Sequence, residues 1–304
     1  MKHIRCASPW SLFLVLTITA LFILGSSCRR SSKAKENQAS LKKPEPAEAM
    51  EAKKAKAPEA GLTLNRQGDE VDTYPGWPVL VELSVRHPQL YATQEKVEPL
   101  VIASRGDSWA QAVTLTVKDA KDAIVNFSFK PVPLSGATLT LDAEKTGAAS
   151  WWLAGEDAVG IPEGDYKLTA TIDTSDVNKA GMWKGKVVSE PVVLHFKKEP
   201  SPLSDELAEE KQLLLSACAQ GLGDDAKAGQ YLDALLKAQP ESIQGVAMKA
   251  GWLERAGDKA GAKEAYEKAI ALFGRKHPHA EPPPELWQNY NRLIHEMLEK
   301  TIRH

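Results

Sequence analysis

The chain has 304 residues, 43% of them hydrophobic and 26% charged, a formal net charge of −2 and only 3 cysteines. This balance excludes a collagen, a wholly disordered chain, a disulfide-stapled scaffold and a polytopic membrane protein, and it gives no electrostatic reason to expect a nucleic-acid partner. The length accommodates two modest domains.

Lys2, His3 and Arg5 precede a 15-residue uncharged run from Trp10 to Leu24, which gives way to Gly25, Ser26 and Ser27. Basic, apolar, then small is the order of an export signal, and the run falls short of the roughly 20 residues of a spanning helix. Leu24-Gly25-Ser26-Ser27-Cys28 resembles the lipobox of bacterial lipoproteins, with Leu24 one place further from the cysteine than that family usually has it. The resemblance implies a signal peptide over 1–27, cleavage before Cys28 and lipid attachment at Cys28. It also implies a location in the cell envelope, on the outer or plasma membrane, with the globular part outside the cytoplasm. Arg29, rather than the aspartate of that family's inner-membrane retention signal, follows the cysteine. With Cys6 in the signal, Cys28 acylated and Cys218 in a helical apolar pattern, no intramolecular disulfide is available.

From Arg29 to Ala60 there is almost no large apolar residue, and nine basic residues stand against five acidic ones, a net of +4. Such a segment cannot bury enough apolar surface to offset its ordering entropy, so residues 28–60 are expected to be a lipidated cysteine followed by a disordered tether. The remainder of the chain, 61–304, carries −8.

Apolar residues then alternate: Val79, Val81, Leu83 and Val85; Val113, Leu115 and Val117; Val125, Phe127 and Phe129; Leu139 and Leu141; Leu168, Ala170 and Ile172. Leu100 to Ala103 and the run from Val187 to Phe196 add further strands, and Ser104-Arg105-Gly106-Asp107, Leu134-Ser135-Gly136 and Pro162-Glu163-Gly164-Asp165 separate them as turns. Seven to nine short strands without intervening helices predict an antiparallel sandwich over 61–199. Ile161-Pro162-Glu163-Gly164-Asp165-Tyr166-Lys167-Leu168-Thr169-Ala170 resembles the turn and Tyr-x-Leu-x-Ala strand of bacterial immunoglobulin-like domains. That resemblance implies an immunoglobulin-like β-sandwich with Tyr166 at a tyrosine corner, its hydroxyl closing the preceding turn. Trp151 and Trp152, if consecutive in a strand, point to opposite faces, and the outward indole is a candidate for stacking on a sugar or a partner protein.

At Glu199-Pro200-Ser201-Pro202 the apolar period changes from two to three or four, and an all-α domain is expected over 200–304. Ser204 and Asp224 are capping residues for two helices, a third follows Pro240, a fourth carries Ala262, Tyr266, Ala269, Ile270 and Phe273, and a last runs from Glu285 to Thr301. Gly223-Asp224 matches Gly257-Asp258, Ser216 matches Ala250, Ala228 matches Ala262 and Leu232 matches Tyr266, each at an offset of 34. The pattern resembles tetratricopeptide repeats, the second unit more closely than the first; Leu235 stands where the second unit has Ala269, and Gly274 replaces a second closing proline. In that family ligand peptides lie along the concave face of the first helices, which implies that Gln220, Gln244, Glu254 and Arg255 point into a groove.

No phosphate-binding loop, nucleophile elbow or paired-cysteine motif is present, and His277-x-His279 near Glu281 and His295 lacks metal-ligand spacing. Neither a catalytic residue, a metal nor a cofactor is expected. The fold class is thus a multidomain α and β chain, an immunoglobulin-like sandwich followed by tetratricopeptide-like helices. The expected role is a non-catalytic protein-interaction scaffold held to the envelope by lipid, with glycan binding through exposed sandwich tryptophans as the alternative.

Overall fold

A computed structural model describes residues 57–89, 97–178 and 180–302. The signal, Cys28 and the tether up to Lys56 lie outside these described residues. The chain forms a β part followed by an α part, with strands from Glu59 to Phe196 and five long helices from Asp205 to Ile302.

One sheet has four strands in the order β1 (Glu59–Leu64), β3 (Val79–Arg86), β9 (Thr146–Leu153) and β7 (Phe129–Pro131). The other runs β2 (Glu70–Thr73), β12 (Val192–Phe196), β10 (Gly164–Asp173), β5 (Val113–Lys118) and β6 (Ile124–Val125), with β11 (Lys186–Val188) also on β10. A small pair, β4 (Leu100–Ala103) and β8 (Thr138–Leu141), completes the β part. Alternation places Val79, Val81, Leu83 and Val85 of β3 in one core with Leu168, Ala170 and Ile172 of β10, all fully or almost fully buried. The expected hydroxyl contact is present: Tyr166 Oη donates to Pro162 O at 3.0 Å.

Four expectations change. β1 begins at Glu59, so the folded part starts two residues before Gly61. The pairing is not wholly antiparallel, because β2 lies parallel to β12, with Asp72 beside His195. Asn65 and Arg66, at φ of 46° and 57°, make the turn after β1 that sends the chain across to the second sheet. The expected strand from Val125 to Phe129 is divided between β6 and β7, which belong to different sheets. A four-residue helix, α1 (Gly155–Ala158), also follows β9.

The α part consists of α2 (Asp205–Gly221), α3 (Asp225–Ala238), α4 (Ile243–Arg255), α5 (Lys259–Lys276) and α6 (Pro284–Ile302). Ser204, Asp224, Ser242 and Asp258 cap α2 to α5, each accepting a backbone N–H three residues on. The hairpins α2/α3 and α4/α5 turn in the same way at a shift of 34 residues. Gly223 and Gly257 take φ of 84° and 86°, a region that glycine enters without Cβ strain. The backbone of Asp224 donates to Ala219 O at 2.8 Å, and that of Asp258 donates to Leu253 O at 2.9 Å. Ala228, Ala250 and Ala262 are completely buried, letting the paired helices approach closely. Leu286 and Leu293 of α6 cover the open side of α4 and α5. Among the described residues no helix is long and apolar enough to cross a membrane.

Candidate functional surfaces at the junction of sheets and helices

β9 reads Thr-Gly-Ala-Ala-Ser-Trp-Trp-Leu, and its two indoles go to opposite faces as strand alternation requires. Trp151 enters the core between the sheets and is 7% exposed. Trp152, only 1% exposed, faces the helices, where it clusters with Leu80 and Ala154 of the β part and with Leu213, Ala217, Cys218, Leu232, Leu235 and Met248 of the α part. The expected outward indole is therefore absent: the ring is covered by α2, and stacking on a sugar through Trp151 or Trp152 has no free ring face. Gly221 records the closeness of this contact, because a Cβ there would lie 2.4 Å from Trp152 Nε1.

Polar contacts reinforce the junction. Glu199 Oε1, at the end of the β part, accepts from Trp77 Nε1 at 2.6 Å and from Lys211 Nζ of α2 at 2.7 Å. The Lys211 hydrogen bond, followed by that of Trp77, holds the Glu199 carboxyl below the usual range. Lys130 pairs with Asp157 at 2.8 Å beside a crevice of about 240 Å³ whose wall includes Leu215, Cys218 and Tyr231.

The four residues assigned to a helical groove do not form one cluster. Gln220 ends α2, whereas Glu254 and Arg255 end α4; Gln244 lies at the other end of α4, about 15 Å away at 1.5 Å per residue. Gln220 and Gln244 are half-buried and Arg255 is exposed. Glu254 does not face open space. Arg292 of α6 grips both its oxygens at 2.6 and 2.9 Å, and Arg292 also reaches Glu296, itself bound to Lys259. The expectation of a free Glu254 fails because α6 lies against the end of α4, out of the 34-residue register in which the groove was inferred.

A second cleft, of about 450 Å³, went unseen in the sequence. Its walls are the outward residues Glu70 and Asp72 of β2, His195 of β12, Tyr74 and Trp77 in the following turn, and Leu207 and Glu210 of α2, with Gln67 at one end. Tyr74 and Trp77 meet edge to face with centroids 4.8 Å apart. His195 Nδ1 lies 2.7 Å from Asp165 Oδ1, and Asp72 pairs with Lys197. Glu210 is half-buried, and among the described residues its carboxylate accepts from the Gln67 amide at 3.5 Å. Burial pushes its carboxyl above the usual glutamate range, against the pull of that amide. Burial, then the Asp72 charge, likewise raises the Tyr74 phenol. The parallel pairing of β2 with β12 brings residues 70 to 73 beside 195, and the docking of α2 adds 207 to 210, so no local pattern announces the cleft.

No protein-family model and no curated protein matches the chain. Among solved structures it is similar over 46% of its length to 41% of the major pilin subunit BcpA of Bacillus cereus, at 13% identity and a TM-score of 0.22. It is similar over 51% of its length to 29% of a family 123 glycoside hydrolase from Clostridium perfringens, at 8% identity and a TM-score of 0.24. A third likeness covers 50% of this chain and 94% of AvmM, which catalyses macrocyclization in alchivemycin A biosynthesis, at 12% identity and a TM-score of 0.23. The chain spans less than half the length of the pilin and hydrolase chains. Likenesses of this extent assign neither a family nor an activity.

Proposed function

We propose that the protein is a lipid-anchored, non-catalytic protein-interaction module of the cell envelope. In this reading tetratricopeptide-like hairpins, seated on an immunoglobulin-like sandwich, present the binding surface at the end of a basic tether. The observation that carries it is the 34-residue repetition of the helical hairpins, in which Gly223 and Gly257, and Asp224 and Asp258, make the same turn and the same cap. Helical pairs repeated in this way bury one face against neighbours and leave another for partners. The sheet covers one end of the stack through Trp152, and α6 covers the other through Leu286 and Leu293.

Within this reading Gln220 and Arg255, at the hairpin ends, are the contact residues, Gln244 is a more distant one, and Glu254 supports the surface through Arg292. Photocrosslinking residues introduced at 220, 244 and 255 in the producing cells should each give discrete adducts. The same residue at Ile124, which is 71% exposed on the sheet, should give none. Adducts at no helical position, or equally at Ile124, would contradict the assignment. Anchoring rests on the order of residues before Cys28: Cys28→Ala should move the protein from the membrane to the soluble envelope fraction. Unchanged fractionation, with no lipid on Cys28, would remove that part of the proposal.

A further inference from the structure

We propose that the cleft between β2 and the start of α2 recognises a lysine or arginine side chain carried on an extended segment of a partner polypeptide. The cleft stands apart from residues 220, 244 and 255, so the proposal holds whether or not those positions crosslink.

Three features of the cleft point to a cationic ligand. The first is charge: Glu70, Asp72 and Glu210 line the cleft, with no lysine or arginine among the lining residues. Lys197 at the rim is taken up by Asp72, and Lys211 by Glu199. Glu210 is left with an amide as its neighbour at 3.5 Å, and its carboxylate has no cationic partner among the described residues. A half-buried carboxylate in that position gains from an incoming ammonium or guanidinium group, which replaces part of the hydration it has lost. Burial already pushes its proton affinity up, in agreement with the geometry.

The second feature is the set of surfaces around the charge. Tyr74, half-buried, supplies an aromatic ring beside the carboxylates, so that a cation can meet a ring as well as an anion. Trp77, 2% exposed and with Lys211 Nζ already 5.8 Å from its ring, backs Tyr74 edge to face. Leu207 offers an apolar wall along which the methylene stem of a lysine or arginine can lie.

The third is access. A volume of about 450 Å³ suits a side chain better than a folded element. β2 is the outermost strand of its sheet, and the cleft runs along its outward residues Glu70 and Asp72. An extended segment can therefore bring a side chain to Glu210 without displacing a strand. The body as a whole, at −8 over 61–304, also attracts a basic partner.

The test is calorimetric titration of the full chain in detergent at low salt. The probes are a capped peptide of alternating threonine and lysine with three lysines, and its Nε-acetyl-lysine counterpart. The acetylated peptide should bind about tenfold more weakly, the scale of one charge-assisted hydrogen bond. Glu210→Gln should weaken the lysine peptide by a similar factor without lowering the melting temperature, and Tyr74→Ala should weaken it severalfold. Glu241→Gln, at an exposed acid in the turn before α4 that pairs with Arg275 and does not line the cleft, should leave binding unchanged. Equal binding of the two peptides, or full affinity in Glu210→Gln, would overturn the proposal. It also falls if the wild type binds neither peptide while replacing Lys42, Lys43, Lys53 and Lys54 by glutamine exposes binding. The occupant would then be the chain's own basic segment rather than a partner.

Discussion

Glu210 and Cys218 are both drawn out of water by α2, with opposite consequences for reactivity. Glu210 has its carboxyl pushed above the usual range by burial, so the unfolded chain releases that proton at a lower pH than the folded one. Between the two values stability falls as pH rises, and above both the ionised group remains destabilising. Glu210→Gln should therefore raise Tm at pH 7. It should leave Tm unchanged well below the ordinary glutamate pKa of about 4.3, where both states hold the proton. Thermal melts at the two pH values check this, and a gain of equal size at both would contradict it. Cys218 is 5% exposed, and burial, with the nearby Glu156 charge adding to it, pushes its thiol up to about 12. The reactive thiolate is scarce at pH 8. In a Cys6→Ala, Cys28→Ala chain, Ellman's reagent should titrate Cys218 no faster than the protein unfolds, and urea should release one thiol. Immediate reaction in buffer would contradict that burial.

At the scale of elements, the turns of the two hairpins carry the next prediction. Gly223→Ala and Gly257→Ala each place a Cβ at positive φ and should cost about 1 kcal/mol in urea unfolding. Gly274 lies inside α5 with open space around it, so Gly274→Ala should stabilise by about 0.5–1 kcal/mol. The helices were legible because their signals are local: a capping side chain, a Gly-Asp turn and an apolar stripe lie within one turn of one another. Strands β3, β5, β10 and β12 were legible for a related reason, since large apolar residues alternate along each. β9 was not, apart from its two tryptophans. Its inward positions Gly147 and Ala149 are small because a neighbour fills the space, and a Cβ on Gly147 would lie 2.2 Å from Leu139 Cδ2. Hydrophobic period cannot register a side chain that is absent in order to admit another. β1 offers only Leu62 and Leu64 as large apolar residues, and β2 is four residues long with its parallel partner some 120 residues away, beyond any local pattern.

At the scale of the molecule, the sequence divides at Glu199, yet the two parts share an apolar cluster. Trp152 is where strand alternation from one part meets helical periodicity from the other, and each half read alone leaves its partner face unexplained. The junction cleft was hidden for a similar reason, since β2 meets His195 only through a long-range parallel pairing and Glu210 joins them only after docking. Trp152→Ala empties a site packed on both sides and should cost about 3–5 kcal/mol. Sheets and helices pack on this ring from both sides, which holds the helical surface and the cleft in fixed relation. Differential scanning calorimetry of the full chain beside Trp152→Ala tests it most directly. The wild type should unfold in one transition, and the variant should resolve into two as the coupling is lost. Two independent transitions in the wild type, or a single unshifted transition in Trp152→Ala, would contradict it.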